Sequence, residues 1–410
     1  MPASTDSVSH RLLPLQVAYF LQGVMLWLPV EKLFMTEIGF DAASIGVMAA
    51  AYAAVVPLIE FPSGILADRW SRRGVLIISS VALAATALIG GLSSGVALYV
   101  VSALVLGIYF AMYSGTMDAA VYDTVLEETG VSDTFEKHLG RIRMINSIAL
   151  VSSSLAGGVL AALTSTRTTY FTTVPIALLS VAALLYFDEP RLHRAESAGS
   201  LKEHVAVTIR TITRRRALLP ILALALLTAV VSNVLFEFGP LWLAALDASP
   251  ALYGPLWAGL VSALGIGGLL AARLDLDRAE HAVPLVLVMI TASIVPATVR
   301  NIAAVSVAQI VLAIGVIAAS IHVTRLLHDS VSSTVRTGVA SGASTLSWAT
   351  FLPLALLFGV VSRDHGVFTA GWLIVAIVVA AGALLITATR RTVRTPAAAD
   401  SESESTLVVA

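Results

Sequence analysis

Glu60-Phe61-Pro62-Ser63-Gly64-Ile65-Leu66-Ala67-Asp68-Arg69-Trp70-Ser71-Arg72-Arg73 closes one long apolar run and leads into another. The runs on either side, 43–66 and 74–93, each supply the roughly 20 residues that a helix needs to cross the hydrocarbon of a bilayer. Between them the chain reads as a Gly-punctuated turn carrying Asp68 with Arg69, Arg72 and Arg73. Basic residues beside helix ends stay where the chain is not translocated, so this link marks a cytoplasmic face.

Composition extends that reading to the whole chain. With 57% hydrophobic and only 12% charged residues among 410, the sequence is that of a polytopic membrane protein. The first apolar run, from Leu12, is too long for a cleavable signal and has no small-residue cleavage site, so it is expected to remain in the membrane. The absence of cysteine excludes disulfides, thiolate metal sites and cysteine nucleophiles. A net charge of −1 points to no nucleic-acid partner, and no metal-spaced His cluster, Ser/His/Asp arrangement or Walker-type loop is evident. The chain is therefore read as no enzyme, with no cofactor.

Measured against the bilayer, the sequence holds twelve apolar segments: 12–36, 43–66, 74–93, 95–122, 141–163, 168–187, 218–244, 250–271, 282–299, 302–327, 338–361 and 367–388. With both termini inside, 21 of the 25 Lys and Arg residues fall on the cytoplasmic side, leaving Lys32, Arg167, Arg300 and Arg363 outside. The organisation follows as an N-terminal six-helix bundle over 1–187, a cytoplasmic linker over 188–216, a C-terminal six-helix bundle over 217–394 and a disordered cytoplasmic tail over 395–410. Within the linker, Leu201, Val205, Ile209 and Ile212 recur at helical spacing opposite Lys202, Arg210 and Arg214 to Arg216. A helix lying on the membrane surface and a solvated linker helix both fit this pattern.

The two bundles repeat each other. Gly268-Leu269-Leu270-Ala271-Ala272-Arg273 follows Gly64-Ile65-Leu66-Ala67-Asp68-Arg69 by 204 residues, and His328-Asp329-Ser330-Val331 follows Tyr122-Asp123-Thr124-Val125 by 206. Both matches lie at cytoplasmic ends of even-numbered helices, as duplication of a six-helix half requires.

The opening stretch resembles the GxLaDrxGrr signature of major facilitator superfamily transporters. Gly64, Leu66, Ala67, Asp68, Arg69, Arg72 and Arg73 match it, and Ser71 stands where the family usually has Gly. Helix count, central linker and repeat carry the resemblance over nearly the whole chain. Glu60 to Gly64, and Ser114-Gly115-Thr116-Met117-Asp118-Ala119-Ala120-Val121-Tyr122-Asp123, look like a bacterial branch of drug or solute exporters. The arginine-bearing signature of drug/proton antiporters is not evident within helix 4.

The resemblance implies an all-α fold of two pseudo-symmetric six-helix bundles in the cell membrane, acting as a monomer. It implies a secondary transporter that moves a small molecule by alternating access, with proton-coupled export of a drug-like compound or metabolite as the leading reading. An importer or facilitator of a metabolite, and a non-transporting scaffold or sensor, are the alternatives. Helices 1, 4, 7 and 10 are implied to surround a central cavity. A latch between the halves is implied to involve Gly64, Asp68, Arg69, Arg72, Arg73 and Asp123.

Ionisable residues inside spans are costly and mark function by default. Glu31, Lys32, Glu60, Asp118, Asp123, Glu237, His322 and Arg325 qualify. Glu31 and Glu237 lie 206 residues apart, at equivalent places in helices 1 and 7, with Trp27 and Asn233 one helical turn before them. An acid there can bind a proton or a cationic substrate, whereas a local salt bridge with Lys32 or exposure at the outer mouth makes it structural. Together with Asp118 they are the candidates for coupling or substrate binding. Asp118, Asp123, His322 and Arg325 lie toward the cytoplasmic ends of helices 4 and 10, where such groups more often form gating salt bridges. Tyr19, Gln22, Trp27, Tyr109, Tyr113, Thr116, Asn233 and Gln309 are candidate cavity residues, each equally consistent with ordinary helix packing.

Overall fold

The computed structural model describes residues 5–131, 134–190, 218–330 and 333–392. Fifteen α-helices and no strand are found among them. They are α1 (Thr5–Arg11), α2 (Leu13–Gly23), α3 (Glu31–Glu37), α4 (Ala42–Arg69), α5 (Arg72–Leu92), α6 (Val96–Thr129), α7 (Phe135–Leu163) and α8 (Thr166–Leu185). After the linker come α9 (Leu219–Phe238), α10 (Pro240–Ala245), α11 (Pro250–Arg273), α12 (Ala279–Thr298), α13 (Ile302–Asp329), α14 (Ser333–His365) and α15 (Val367–Thr392). Among the described residues, eleven segments are long and apolar enough to cross a membrane, and α4 adds a shorter apolar stretch, Ala42–Val56. The proposed linker helix around 201–216 and the tail lie outside the described residues.

Two expectations about continuity are corrected. The first span is not one helix over 12–36. It stops at Gly23, passes through a 3-10 turn at Leu28–Val30 and resumes as α3. Pro29 has no amide hydrogen to continue a helix, and the irregular backbone packs closely on α7. A Cβ on Gly157 would fall 2.1 Å from the Leu26 carbonyl oxygen, so only glycine admits this approach. Ser153 Oγ donates to the Gly23 carbonyl (3.2 Å), satisfying one group freed by the break.

Nor does Gly64 form a turn. Helix α4 continues through it to Arg69, and only Trp70 and Ser71 separate α4 from α5. Ser71 ends the turn as the N-cap of α5: it is extended (φ −171°), and its Oγ accepts from the Gly74 amide at 2.9 Å. A serine cap does what this link needs, and an extended residue needs no glycine there.

Packing repeats between the halves. In the first, α5 packs on α6 and α8, and α2 on α8; in the second, α12 packs on α13 and α15, and α9 on α15. These are corresponding helices of a duplicated six-helix plan.

Compact units nevertheless cut the chain differently from the sequence halves. The first unit joins the described residues up to 190 with 243–262 and 351–364, and the second holds the remainder. Glycine contacts explain the two borrowed segments. A Cβ on Gly46 of α4 would lie 2.6 Å from the Ala355 carbonyl oxygen of α14, and one on Gly254 of α11 would lie 2.6 Å from the Ser154 carbonyl oxygen of α7. Backbones meet where side chains are absent.

Candidate functional site

At the α4–α5 link, sequence spacing leaves three arginines near Asp123, and the contacts of two of them are described. Arg72 forms the ion pair with Asp123 of α6, and its Nη1 also donates to the Ala119 carbonyl (2.6 Å). Arg73 donates instead to the Phe187 carbonyl at 3.3 Å. Both partners of the Arg72–Asp123 pair are largely buried, so each depends on the other for the solvation it has lost. The side chains of Gly64's neighbours Asp68 and Arg69 lie outside the described residues, and Gly64 itself is placed only as part of α4.

One partner in this cluster has no counterpart in the sequence reading. Glu189, just past the end of α8, accepts from Ser71 Oγ (2.6 Å) and from the Arg72 amide. Its carboxylate sits at the N-terminus of α5, where amide donors and the helix dipole favour an anion. The acidic pair Asp188-Glu189 at the linker's start was the only available signal.

Further along α6, Asp118 accepts from Arg143 of α7 at 2.7 Å, with 40% and 61% of the two side chains exposed. Tyr19 of α2 stacks on Tyr113 at 5.0 Å, and Tyr113 on Tyr109 at 5.3 Å. Asn146 of α7 donates to the Tyr19 carbonyl at 3.1 Å. An aromatic column and an open ion pair thus share α2, α6 and α7. Thr116 is buried on α6 in the same stretch.

Glu31 sits in a different setting. Its carboxylate accepts from Lys32 Nζ and from the Tyr99 hydroxyl, both at 3.0 Å, and Tyr99 is 2.7 Å from the Tyr170 hydroxyl. Trp27 stacks on Tyr170 at 5.2 Å and Phe34 packs on the same ring at 4.8 Å. The Lys32 side chain is 2% exposed and that of Glu31 11%. Because the helix is interrupted before Leu28, Trp27 does not precede Glu31 on one continuous helix face. The local pair with Lys32, weighed from the sequence, is present.

Unsatisfied polar atoms mark the remainder of this helix. Gln22 donates from Nε2 to Ser80 Oγ at 2.7 Å, while its Oε1 and the Nε1 of Trp27 are buried without a hydrogen-bond partner. In the second unit, Gln309 Nε2 donates to the Gly239 carbonyl at 3.3 Å, at the break between α9 and α10. Asn233 and Glu237 are partly buried on α9. Interrupted helices thus occur in the first and seventh spans, at corresponding positions of the two halves.

Outside the spans, Asp41 caps α4. Side-chain and backbone hydrogen bonds from Ser44 hold its carboxyl below the usual carboxylate range. No group of three or more metal-ligating acids and imidazoles occurs among the described residues.

The family model of the Major Facilitator Superfamily matches residues 12–349, and the chain belongs to that superfamily. Its fold is similar to the nucleoside transporter NupG at 15% identity and a TM-score of 0.74, over 94% of this chain and 99% of that one. A bacterial homolog of the human lysosomal transporter Spinster, inward-facing and occupied, aligns at 16% identity with a TM-score of 0.74, over 94% and 98%. A D-xylose-proton symporter aligns at 13% identity with a TM-score of 0.64, over 91% and 97%. No curated protein matches the sequence. At such identities the likeness establishes the fold. The chain is a multi-pass membrane protein and a solute transporter of its superfamily, not an enzyme.

Proposed function

We propose that this transporter exports a drug-like compound or metabolite from the cell in exchange for protons, with both termini cytoplasmic and the motif end facing the cytoplasm. The observation that carries the reading is the half-exposed Asp118–Arg143 pair on two spanning helices. Charges on spans face protein or water rather than lipid, so the α2, α6 and α7 face that bears them borders an aqueous path. An acid held there by one arginine can exchange that arginine for a proton or for a cationic group of the solute. Glu31 is instead engaged by Lys32 and Tyr99 in a largely buried setting. In this reading Gln22 and Trp27 serve solute passage in the first unit, and Asn233, Glu237 and, from α13, Gln309 in the second. The Arg72–Asp123 bridge steadies the motif end.

The test uses vesicles with the motif end outward and a pH-sensitive dye in the lumen, offered nucleosides, sugars, peptides and aromatic amphipathic cations in turn. For an exporter, an acidic lumen drives compound inward and the lumen alkalinises as it enters. Asp118→Asn keeps compound exchange and loses its dependence on the pH gradient. Flux without coupled proton movement supports the facilitator reading, and no flux of any compound supports a scaffold.

A further inference from the structure

The second half carries its own charged bridge, in reversed polarity. In the first half a cation at the start of α5, Arg72, reaches an anion on α6, Asp123. In the second, Asp277, which follows Arg72 by 205 residues and precedes α12, pairs with Arg325 on α13. The connection between corresponding helices is kept while acid and base have changed places.

A histidine is added to the reversed bridge. His322 lies one turn before Arg325 on α13, with its side chain 6% exposed. Its Nδ1 is 3.4 Å from Arg325 Nη2, and its Nε2 is 3.9 Å from Asp277 Oδ1. The other Asp277 oxygen holds Arg325. The remaining charged neighbour, Asp275, is engaged by Arg278 at 3.3 Å.

These contacts set the tautomer. Arginine donates only, so its approach to Nδ1 needs the imidazole lone pair there and leaves the ring hydrogen on Nε2, facing Asp277. A proton added at Nδ1 removes the acceptor and sets a second cation beside Arg325. Asp277 is then the single anion between two cations, and the gap of 3.9 Å from imidazole to carboxylate can close to a charge-assisted hydrogen bond. We propose that His322 is a proton-binding site whose occupancy transfers Asp277 from Arg325 to the imidazolium, making the bridge of the second half proton-sensitive. His322 and Asp118 belong to different units and pair with different residues, so either proposal can fail without the other.

The chain has eight histidines, and selective carbon-13 labelling of their rings in the full protein in lipid nanodiscs reads each one. His322→Gln assigns the signal. The expected result is a His322 resonance that shifts as the pH is varied. Asp277→Asn weakens proton binding at His322 about tenfold, and Arg325→Gln strengthens it, since each removes one neighbouring charge. Amide exchange over 274–281, corrected for intrinsic rates, changes between about pH 6 and pH 8 in the parent protein and not in His322→Gln. The two bridge variants test the charge dependence independently should one of them fail to fold. A His322 resonance constant across this range, or one whose titration ignores both charge changes, overturns the proposal.

Discussion

Replacing Gly46 by Ala tests whether glycine lets α4 and α14 close on each other. The added Cβ would stand 2.6 Å from the Ala355 carbonyl oxygen and 3.1 Å from Gly359 Cα, with Gly359 equally confined by the Ala42 carbonyl at 2.7 Å. Ordinary contact begins near 3.4 Å, so the helices must separate by about 0.8 Å or bend. Overpacking of this kind costs about 1–3 kcal/mol. On a two-state balance between joined and parted helices, that is a factor of about 5 to 150. The cysteine-free sequence makes the assay clean: Ser362, buried on α14 near the same contact, is changed to Cys and labelled with a water-soluble maleimide. Gly46→Ala should speed labelling by a factor in that range, and Gly46→Val by more. Gly140→Ala, where a Cβ meets nothing within 4 Å, should leave the rate unchanged. Equal labelling rates in the parent, Gly46→Ala and Gly46→Val proteins would refute the closure argument.

Other expectations follow from the charged clusters. Asp123→Asn or Arg72→Gln alone should destabilise by about 3–5 kcal/mol in thermal or denaturant unfolding, since each strands a buried charge, while the double change should cost less than the sum. Lys32→Met should be more damaging than Lys32→Met combined with Glu31→Gln for the same reason, and an additive pair would show the two groups to be independent. Hydrogen bonds to its ionised form hold Asp41 below the usual carboxylate range, so its cap contributes fully above the unfolded-state value and is lost as pH falls through the lower folded value. Asp41→Asn should therefore flatten the acid side of the stability curve between about pH 5 and pH 2, and an unchanged slope would count against the cap.

The sequence by itself determined the membrane class, the positions of the spans and the duplication. These depend on local quantities: twenty-residue apolarity, arginine placement and a repeat near 205 residues survive without knowledge of any contact. The breaks in helix 1 were hidden, because Gly23 and Pro29 are tolerated inside spans and only the close approach of α7 to Leu26 shows that the helix yields there. Equivalence of Glu31 and Glu237 in sequence said nothing of their surroundings. Tyr99 and Tyr170, from two distant helices, enclose Glu31 with Lys32.

Partner choice was likewise beyond local reading. Arg72 pairs with Asp123 while Arg73 donates to the Phe187 carbonyl, and Glu189 joins Ser71 across 118 residues of chain. Arg143 was counted for topology alone, yet its exposure beside Asp118 makes it the cation that a solute or proton must displace in the proposed cycle. Electrostatic pairing inside a membrane depends on which helix faces are brought together and how much water they keep. That is a property of packing, so residue types along one chain determine which groups can pair, and tertiary structure alone decides which of them do.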